Sequence, residues 1–158
     1  MVASIEDRIH ELGLVLPVPP GSVANYVATC PVGDLLFVSG QLCLGSDGKP
    51  VALGKLGEEI SVEDGQRAAK AAAVNLVAQV KAAVGHLDRV KKVVRLGGFI
   101  ASSGQFTDHA KVMNGASDLM VTIFGEAGRH TRSTVGVASL PLGVPVEVEG
   151  LFEIEAES

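Results

Sequence analysis

RSTVGVASLPLGVPVEVE, residues 132–149, contains two runs in which polar and apolar side chains alternate. Alternation with period two predicts a β-strand with one polar and one apolar face, so 132–138 and 144–149 are predicted strands. If residues 139–142 form a hairpin turn, Arg132 lies opposite Glu149 and Thr134 lies opposite Glu147. This register predicts a guanidinium and two carboxylates on one polar face, either as a functional site or as an ion pair on a solvated surface.

The rest of the chain divides into periodic segments separated by turn residues. Predicted helices run from Ser4 to about Leu12, from Ser61 to Gly85 and from Thr107 to Phe124. Ser4 and Ser61 are their predicted N-caps, Gly85 is the predicted C-terminal glycine, and Asn114-Gly115 interrupts the last helix. Predicted strands cover 26–29, 35–39, which ends at Ser39-Gly40-Gln41, and 90–101. The order after the N-terminal helix is β-β-α-β-α-β-β. It predicts a single α+β domain at 22–158, with one mixed sheet and two helices on one face, preceded by a helix and extended arm at 1–21.

The composition favours a globular subunit that buries an additional apolar surface. The chain has 158 residues, a hydrophobic content of 47% and a mean hydropathy of +0.34, with no apolar run of the roughly 18 residues that a membrane span needs. We expect neighbouring subunits, arranged around a central axis, to cover the sheet face that the helices leave open.

Charge and residue usage exclude several classes of function. A net charge of −5 with scattered Lys and Arg argues against a nucleic-acid partner. Cys30 and Cys43 form no metal or redox motif and are expected to be free thiols. The four histidines are isolated, so we predict no metal. The N-terminus lacks the pattern of a signal peptide, which favours the cytoplasm.

A combination of four segments is more specific than any one of them. They are Tyr26-Val27, Val38-Ser39-Gly40-Gln41, Val112-Met113-Asn114, and Arg132-Ser133-x-Val135-x-Val137-Ala138-x-Leu140-Pro141 followed by Val146-Glu147-Val148-Glu149. From about residue 22 to 155 the chain resembles the RidA (YjgF) family of 2-iminobutanoate/2-iminopropanoate deaminases, also labelled endoribonuclease L-PSP, in a subgroup with an N-terminal extension. The C-terminal segment carries most of this resemblance.

The resemblance implies a chorismate-mutase-like fold assembled as a homotrimer, with an active site in each cleft between subunits. It also implies hydrolytic deamination of reactive 2-imino acids, and of their enamine tautomers, to 2-oxo acids and ammonia without a cofactor. By the same resemblance, Tyr26, Ser39, Gly40 and Thr134 line the cleft, and Asn114 reaches it from a neighbouring subunit.

The chemistry of this reaction suits the polar face. A guanidinium binds a carboxylate through two parallel hydrogen bonds, so Arg132 is the expected anchor of the substrate carboxylate. Hydrolysis needs a water positioned over the imine carbon and a base that takes its proton, which is the role expected of Glu147, supported by Glu149.

Several positions depart from the family pattern and leave other functions open. Thr134 stands where many family deaminases have cysteine, Ala24-Asn25 replaces a common Gly-Pro, and Leu42-Cys43 replaces a common proline. The first alternative is a non-catalytic trimer that binds small carboxylates. The second, an endoribonuclease or translation inhibitor, is disfavoured by the acidic composition, because RNA binding depends on neutralising phosphates.

Overall fold

The computed structural model describes residues 2–22 and 24–157, so the predicted outer boundaries at 1 and 158 lie outside the described residues. It confirms an α+β fold with one mixed sheet. The helices are α1 (Ile5–Glu11), α2 (Val62–Val84) and α3 (His109–Phe124), and the strands are β1 (Thr29–Val32), β2 (Leu35–Leu42), β3 (Val90–Ala101), β4 (Thr131–Val137) and β5 (Val146–Ile154). None of the described helices is long and apolar enough to cross a membrane.

The five strands form one sheet in the order β1-β2-β5-β3-β4. All neighbours pair antiparallel except β3 and β4, which run parallel and are joined through α3. A parallel pair needs such a crossover because its strands start at the same end of the sheet. Strand β4 therefore lies at one edge of the sheet, and β5 lies at its centre.

Helix α2 supplies most of the layer that covers the sheet. Ser61 Oγ accepts a hydrogen bond from the Asp64 backbone N–H at 3.1 Å, as the predicted N-cap requires, and Gly85 follows the last turn with φ 83°. Alanines at 68, 69, 72 and 73 are buried, which keeps the helix close to its neighbours. The predicted caps of α2 are confirmed.

Helix α3 is continuous, so the predicted interruption at Asn114-Gly115 is wrong. Gly115 instead serves the packing of two helices, because a Cβ there would overlap the backbone carbonyl of Gln66 in α2. Because Gly115 has no side chain, α3 lies directly against α2. Asn114 is part of the same continuous helix.

The N-terminal helix α1 begins with the predicted cap and is attached to the rest of the chain. Ser4 and Asp7 form a reciprocal capping box, and Ile9 is buried. Arg8 Nη1 donates to the Ile123 carbonyl at 2.8 Å, and Glu6 accepts from the Leu87 backbone N–H at 2.7 Å. These contacts fix α1 against α3 and the turn before β3.

The first two strands differ from their predicted bounds. The prediction placed β1 at residues 26–29, whereas the strand runs from Thr29 to Val32 and includes Pro31. Proline is tolerated there because β1 is an edge strand. The second strand does not end at Ser39 but continues to Leu42, with an irregular register between Val38 and Gln41.

The sheet face opposite the helices, here called the open face, carries exposed apolar side chains. Val32 is 57% exposed, Phe37 47% and Val135 49%. Strand alternation places these residues on the same face as Glu147 and Glu149. These exposed apolar side chains are in line with the expectation that neighbouring subunits cover this face.

Candidate functional site

The Arg132 side chain is held by three groups on one face of α3. Its Nη1 donates to Asn114 Oδ1 at 2.9 Å and to Ser117 Oγ at 3.0 Å, and its Nη2 donates to the Ala110 carbonyl at 3.3 Å. Positions 110, 114 and 117 are spaced by four and three residues, which aligns them along one side of a helix. We call Arg132, Asn114 and Ser117 the arginine half-site.

The guanidinium keeps donors available in this arrangement. Arginine has five N–H donors, and the described residues engage three of those of Arg132. The two that remain are the Nε–H and one hydrogen of Nη2, which lie on neighbouring nitrogens of the planar group. Two parallel donors on one edge match the two oxygens of a carboxylate.

The predicted hairpin between β4 and β5 is wrong. The prediction that Arg132 and Glu147 share one face is therefore wrong as well. Strand β3 lies between them: Leu96 pairs with Arg132 on one side, and Phe99 pairs with Glu147 on the other. Directly paired residues point to the same face and successive residues alternate, so Arg132 points toward the helices and Glu147 toward the open face. Within one chain these two side chains lie on opposite sides of the sheet.

Burial explains why β5 takes the central position. Four of its apolar residues are buried: Val146, Val148, Phe152 and Ile154. Their burial requires a helix layer over this face and a neighbouring strand on each side of β5. In β4, by contrast, no residue is fully buried. Alternation in the sequence identified the two faces of each strand but not the strand that separates them.

Glu147 and Glu149 come together on the open face, where two glycines make room for them. A Cβ at Gly40 would overlap Glu147 Oε1, and a Cβ at Gly97 would lie 2.7 Å from Glu149 Oε1. Burial raises the pKa of Glu147 above its usual value, and the negative charge of Glu149 raises it further. The pair therefore contains one carboxylate that holds a proton more readily than an ordinary glutamate.

Tyr26 and Ser39 line a cavity together with Glu149. The volume of this cavity is about 530 Å³. Ser39 Oγ donates to the Val27 carbonyl at 2.8 Å, which ties the irregular segment before β1 to the strand. We call Tyr26, Ser39, Gly40, Glu147 and Glu149 the glutamate half-site.

Asn114 and Thr134 belong with the arginine rather than with the glutamates. Asn114 accepts a hydrogen bond from Arg132 within one chain, so the two side chains would reach a cleft together. Thr134 follows Arg132 by two positions on the same face of β4, and its Oγ1 is buried without a hydrogen-bond partner among the described residues.

Two residues of this region were not identified from the sequence. Ser117 contacts both Arg132 and His130, whose Nε2 lies 2.9 Å from Ser117 Oγ. The spacing of Ser117 three residues after Asn114 could have suggested it, whereas His130 gave no local signal. In the described parts of the chain, no group of three or more His, Cys, Asp or Glu side chains is placed to hold a metal ion.

Comparison with known proteins gives consistent similarities over most of the chain. A family model described as "YjgF/chorismate mutase-like, putative endoribonuclease" matches residues 6–152. Protein TCP17 of Trypanosoma cruzi is 47% identical over 93% of this chain and 92% of its own length. The crystal structure of an Agrobacterium tumefaciens protein of unknown function is also 47% identical, with a TM-score of 0.89 over 96% of this chain and 92% of that one.

A fourth similarity concerns a protein named for an activity. The 2-iminobutanoate/2-iminopropanoate deaminase of Dermatophagoides farinae is 28% identical over 88% of this chain and 93% of its own length.

Proposed function

The chain belongs to the YjgF/chorismate mutase-like family, and on that premise we propose that it hydrolyses 2-imino acids to 2-oxo acids and ammonia. The observation that carries the proposal is the geometry of Arg132: α3 accepts three of its guanidinium hydrogens, and two donors, on Nε and Nη2, have no partner among the described residues. A 2-imino acid presents a carboxylate next to its reactive carbon, which fits these two donors. The similarity to the Dermatophagoides farinae deaminase supports the choice of substrate class.

In the proposed reaction, Arg132 binds the substrate carboxylate and Glu147 acts as the general base for the attacking water. Glu147 takes a proton as the water oxygen bonds to the imine carbon, and the electron pair of the C=N double bond moves to nitrogen. Glu147 returns this proton to the nitrogen and then transfers the hydroxyl proton of the tetrahedral intermediate to it as well, so that the C–N bond breaks, ammonia leaves and the C=O bond of the 2-oxo acid forms. Because imines also hydrolyse in free water, positioning of the two reactants accounts for much of the acceleration.

Since the two half-sites face opposite sides of one sheet, we place the reaction between two copies of the chain. The arginine half-site of one copy would face the glutamate half-site of the next, in an oligomer that we expect to be a trimer. The exposed apolar residues Val32, Phe37 and Val135 on the open face support such an assembly. Tyr26, Ser39 and Gly40 would then line the cleft.

Carboxylate binding without turnover is the second candidate. It is favoured by the fact that the arginine half-site is complete within one chain and independent of Glu147. The buried Oγ1 of Thr134, which has no described partner, lies on the same face and distinguishes this site from those with cysteine. RNA cleavage is not proposed, because a chain with net charge −5 is poorly suited to bind a polyanion.

The direct test generates 2-iminopropanoate from alanine with an amino-acid oxidase and follows its trapping by semicarbazide. The wild-type protein is expected to suppress trapping and to form pyruvate faster than the spontaneous hydrolysis, whereas Arg132→Ala is expected to do neither. Arg129→Ala is the matched control, since this arginine is exposed and, among the described residues, forms an ion pair with Glu126 alone. If pyruvate stabilises the protein thermally but trapping is unchanged, the second candidate is supported and the deaminase proposal fails.

A further inference from the structure

A directed chain of hydrogen bonds leads from Arg132 to a histidine outside the proposed active-site cleft. His130 precedes β4 and lies against α3, and its Nδ1 is 2.6 Å from the Gly128 carbonyl oxygen. A carbonyl oxygen only accepts, so Nδ1 carries the hydrogen and donates it. In a neutral ring the other nitrogen, Nε2, is then an acceptor.

The assignment of Nε2 fixes the direction of the next two bonds. Ser117 Oγ lies 2.9 Å from Nε2, so the serine hydroxyl donates to the ring. The lone pairs of the same oxygen accept from Arg132 Nη1 at 3.0 Å. The order of donation is therefore Arg132 to Ser117, Ser117 to His130, and His130 to the Gly128 carbonyl.

The surroundings of His130 keep the ring in the neutral form that this order requires. Burial lowers the pKa of His130 below its usual value. The hydrogen bond to the Gly128 carbonyl opposes this in part, and the positive charges of Arg132 on β4 and Lys92 on β3 lower the pKa further. A protonated ring would direct a second N–H toward Ser117 and add a positive charge beside Arg132.

We propose that His130 is a positioning residue for the reaction proposed above: by accepting the Ser117 hydroxyl hydrogen, it orients that oxygen toward Arg132 and fixes the guanidinium edge that binds the substrate carboxylate. This inference rests on the proposed function. Without the acceptor on His130, the Ser117 hydroxyl turns toward a backbone carbonyl one helical turn earlier, as serines in helices commonly do. The Arg132 side chain then loses one of its two side-chain acceptors on α3 and samples several orientations.

The test compares variants that differ in this acceptor alone. His130→Phe keeps a ring of similar size and removes both nitrogens, His130→Gln retains a terminal acceptor, and Ser117→Ala removes the intermediate hydroxyl. His86→Phe serves as the control, because His86 is exposed and its side chain makes no capping hydrogen bond. The quantities measured are KM and kcat for imine hydrolysis and the Kd of pyruvate by calorimetry.

We expect His130→Phe and Ser117→Ala each to raise KM and the Kd of pyruvate about tenfold, the worth of one hydrogen bond to a charged group, with kcat within about twofold of wild type. His130→Gln should recover most of the affinity, and His86→Phe should match wild type. The double variant Ser117→Ala/His130→Phe should be no weaker than Ser117→Ala, because both changes break the same chain of bonds. A purely structural role would lower the amount of active protein and leave KM unchanged.

Two results would overturn the inference, and they differ from a failure of the proposed function. If Arg132→Ala abolishes pyruvate binding while His130→Phe binds it with wild-type affinity, the role of His130 is refuted and the deaminase proposal stands. If nitrogen NMR places the His130 hydrogen on Nε2, the direction of donation is refuted whatever the activity. A wild-type protein that neither binds pyruvate nor hydrolyses the imine refutes the proposed function, and this role with it.

Discussion

Replacing Arg132 by lysine separates the geometry of the guanidinium from its charge. Lysine keeps the positive charge but presents a single ammonium, so it offers the substrate carboxylate one strong hydrogen bond instead of two parallel ones. Hydrogen bonds to charged groups contribute about 1.5–3 kcal/mol, which predicts a loss of about 10- to 150-fold in kcat/KM.

The same substitution should also lower stability, by somewhat less than it lowers transition-state stabilisation. Arg132 donates three hydrogen bonds to α3, but Asn114 is exposed and water can replace the arginine there. We therefore expect a decrease of about 1–2 kcal/mol in the free energy of unfolding, mainly from the half-buried Ser117. Urea denaturation measures this decrease, and the semicarbazide trapping assay measures kcat/KM on the same preparations.

The control for this experiment is Arg129→Lys, which makes the same chemical change at an exposed position three residues earlier. It should leave both quantities near their wild-type values. If Arg132→Lys retains kcat/KM within about twofold of wild type, two-point recognition of the carboxylate by Arg132 is refuted.

Three further predictions concern the glutamate half-site and Thr134. Gly40→Ala should lower kcat at least tenfold, because its Cβ would displace the Glu147 carboxylate. Circular dichroism should show an unchanged fold, and an unchanged kcat would show that Glu147 needs no fixed position. Glu149→Gln should move the acid limb of the pH profile of kcat/KM to lower pH, since it removes the negative charge that, after burial, raises the pKa of Glu147; a shift to higher pH would contradict the assignment. Thr134→Val should raise the free energy of unfolding by about 1 kcal/mol in urea denaturation, because it replaces a buried hydroxyl that has no described partner with a methyl group; a destabilised variant would imply that the hydroxyl is bound in solution.

Local patterns predicted most of the elements because each is determined by a few neighbouring residues. Strand β3 has its predicted bounds, Val90–Ala101, and α2 begins after Ser61 and ends before Gly85, as its caps indicate. Helix α3 ends at Phe124 as predicted and begins two residues later than predicted. The family resemblance, carried by the C-terminal segment, is confirmed by the match over residues 6–152.

The features that could not be predicted depend on contacts between distant parts of the chain. Alternation placed Arg132 and Glu147 on polar faces but could not reveal that β3 lies between their strands. Asn114-Gly115 read as a break in α3 because its partner, the Gln66 backbone of α2, is 49 positions away from Gly115 in the sequence. His130 looked isolated because its hydrogen-bond donor, the Ser117 hydroxyl, lies on α3.

The central claim is that each reaction site joins Arg132 of one chain to Glu147 of another. Arg132→Ala and Glu147→Gln, each inactive alone, can be co-expressed in equal amounts so that mixed oligomers form. If the two half-sites come from different chains, random assembly makes about a quarter of the sites intact, and about a quarter of wild-type imine hydrolysis should return. If both half-sites came from the same chain, no site would be intact, and the mixture would be as inactive as either variant.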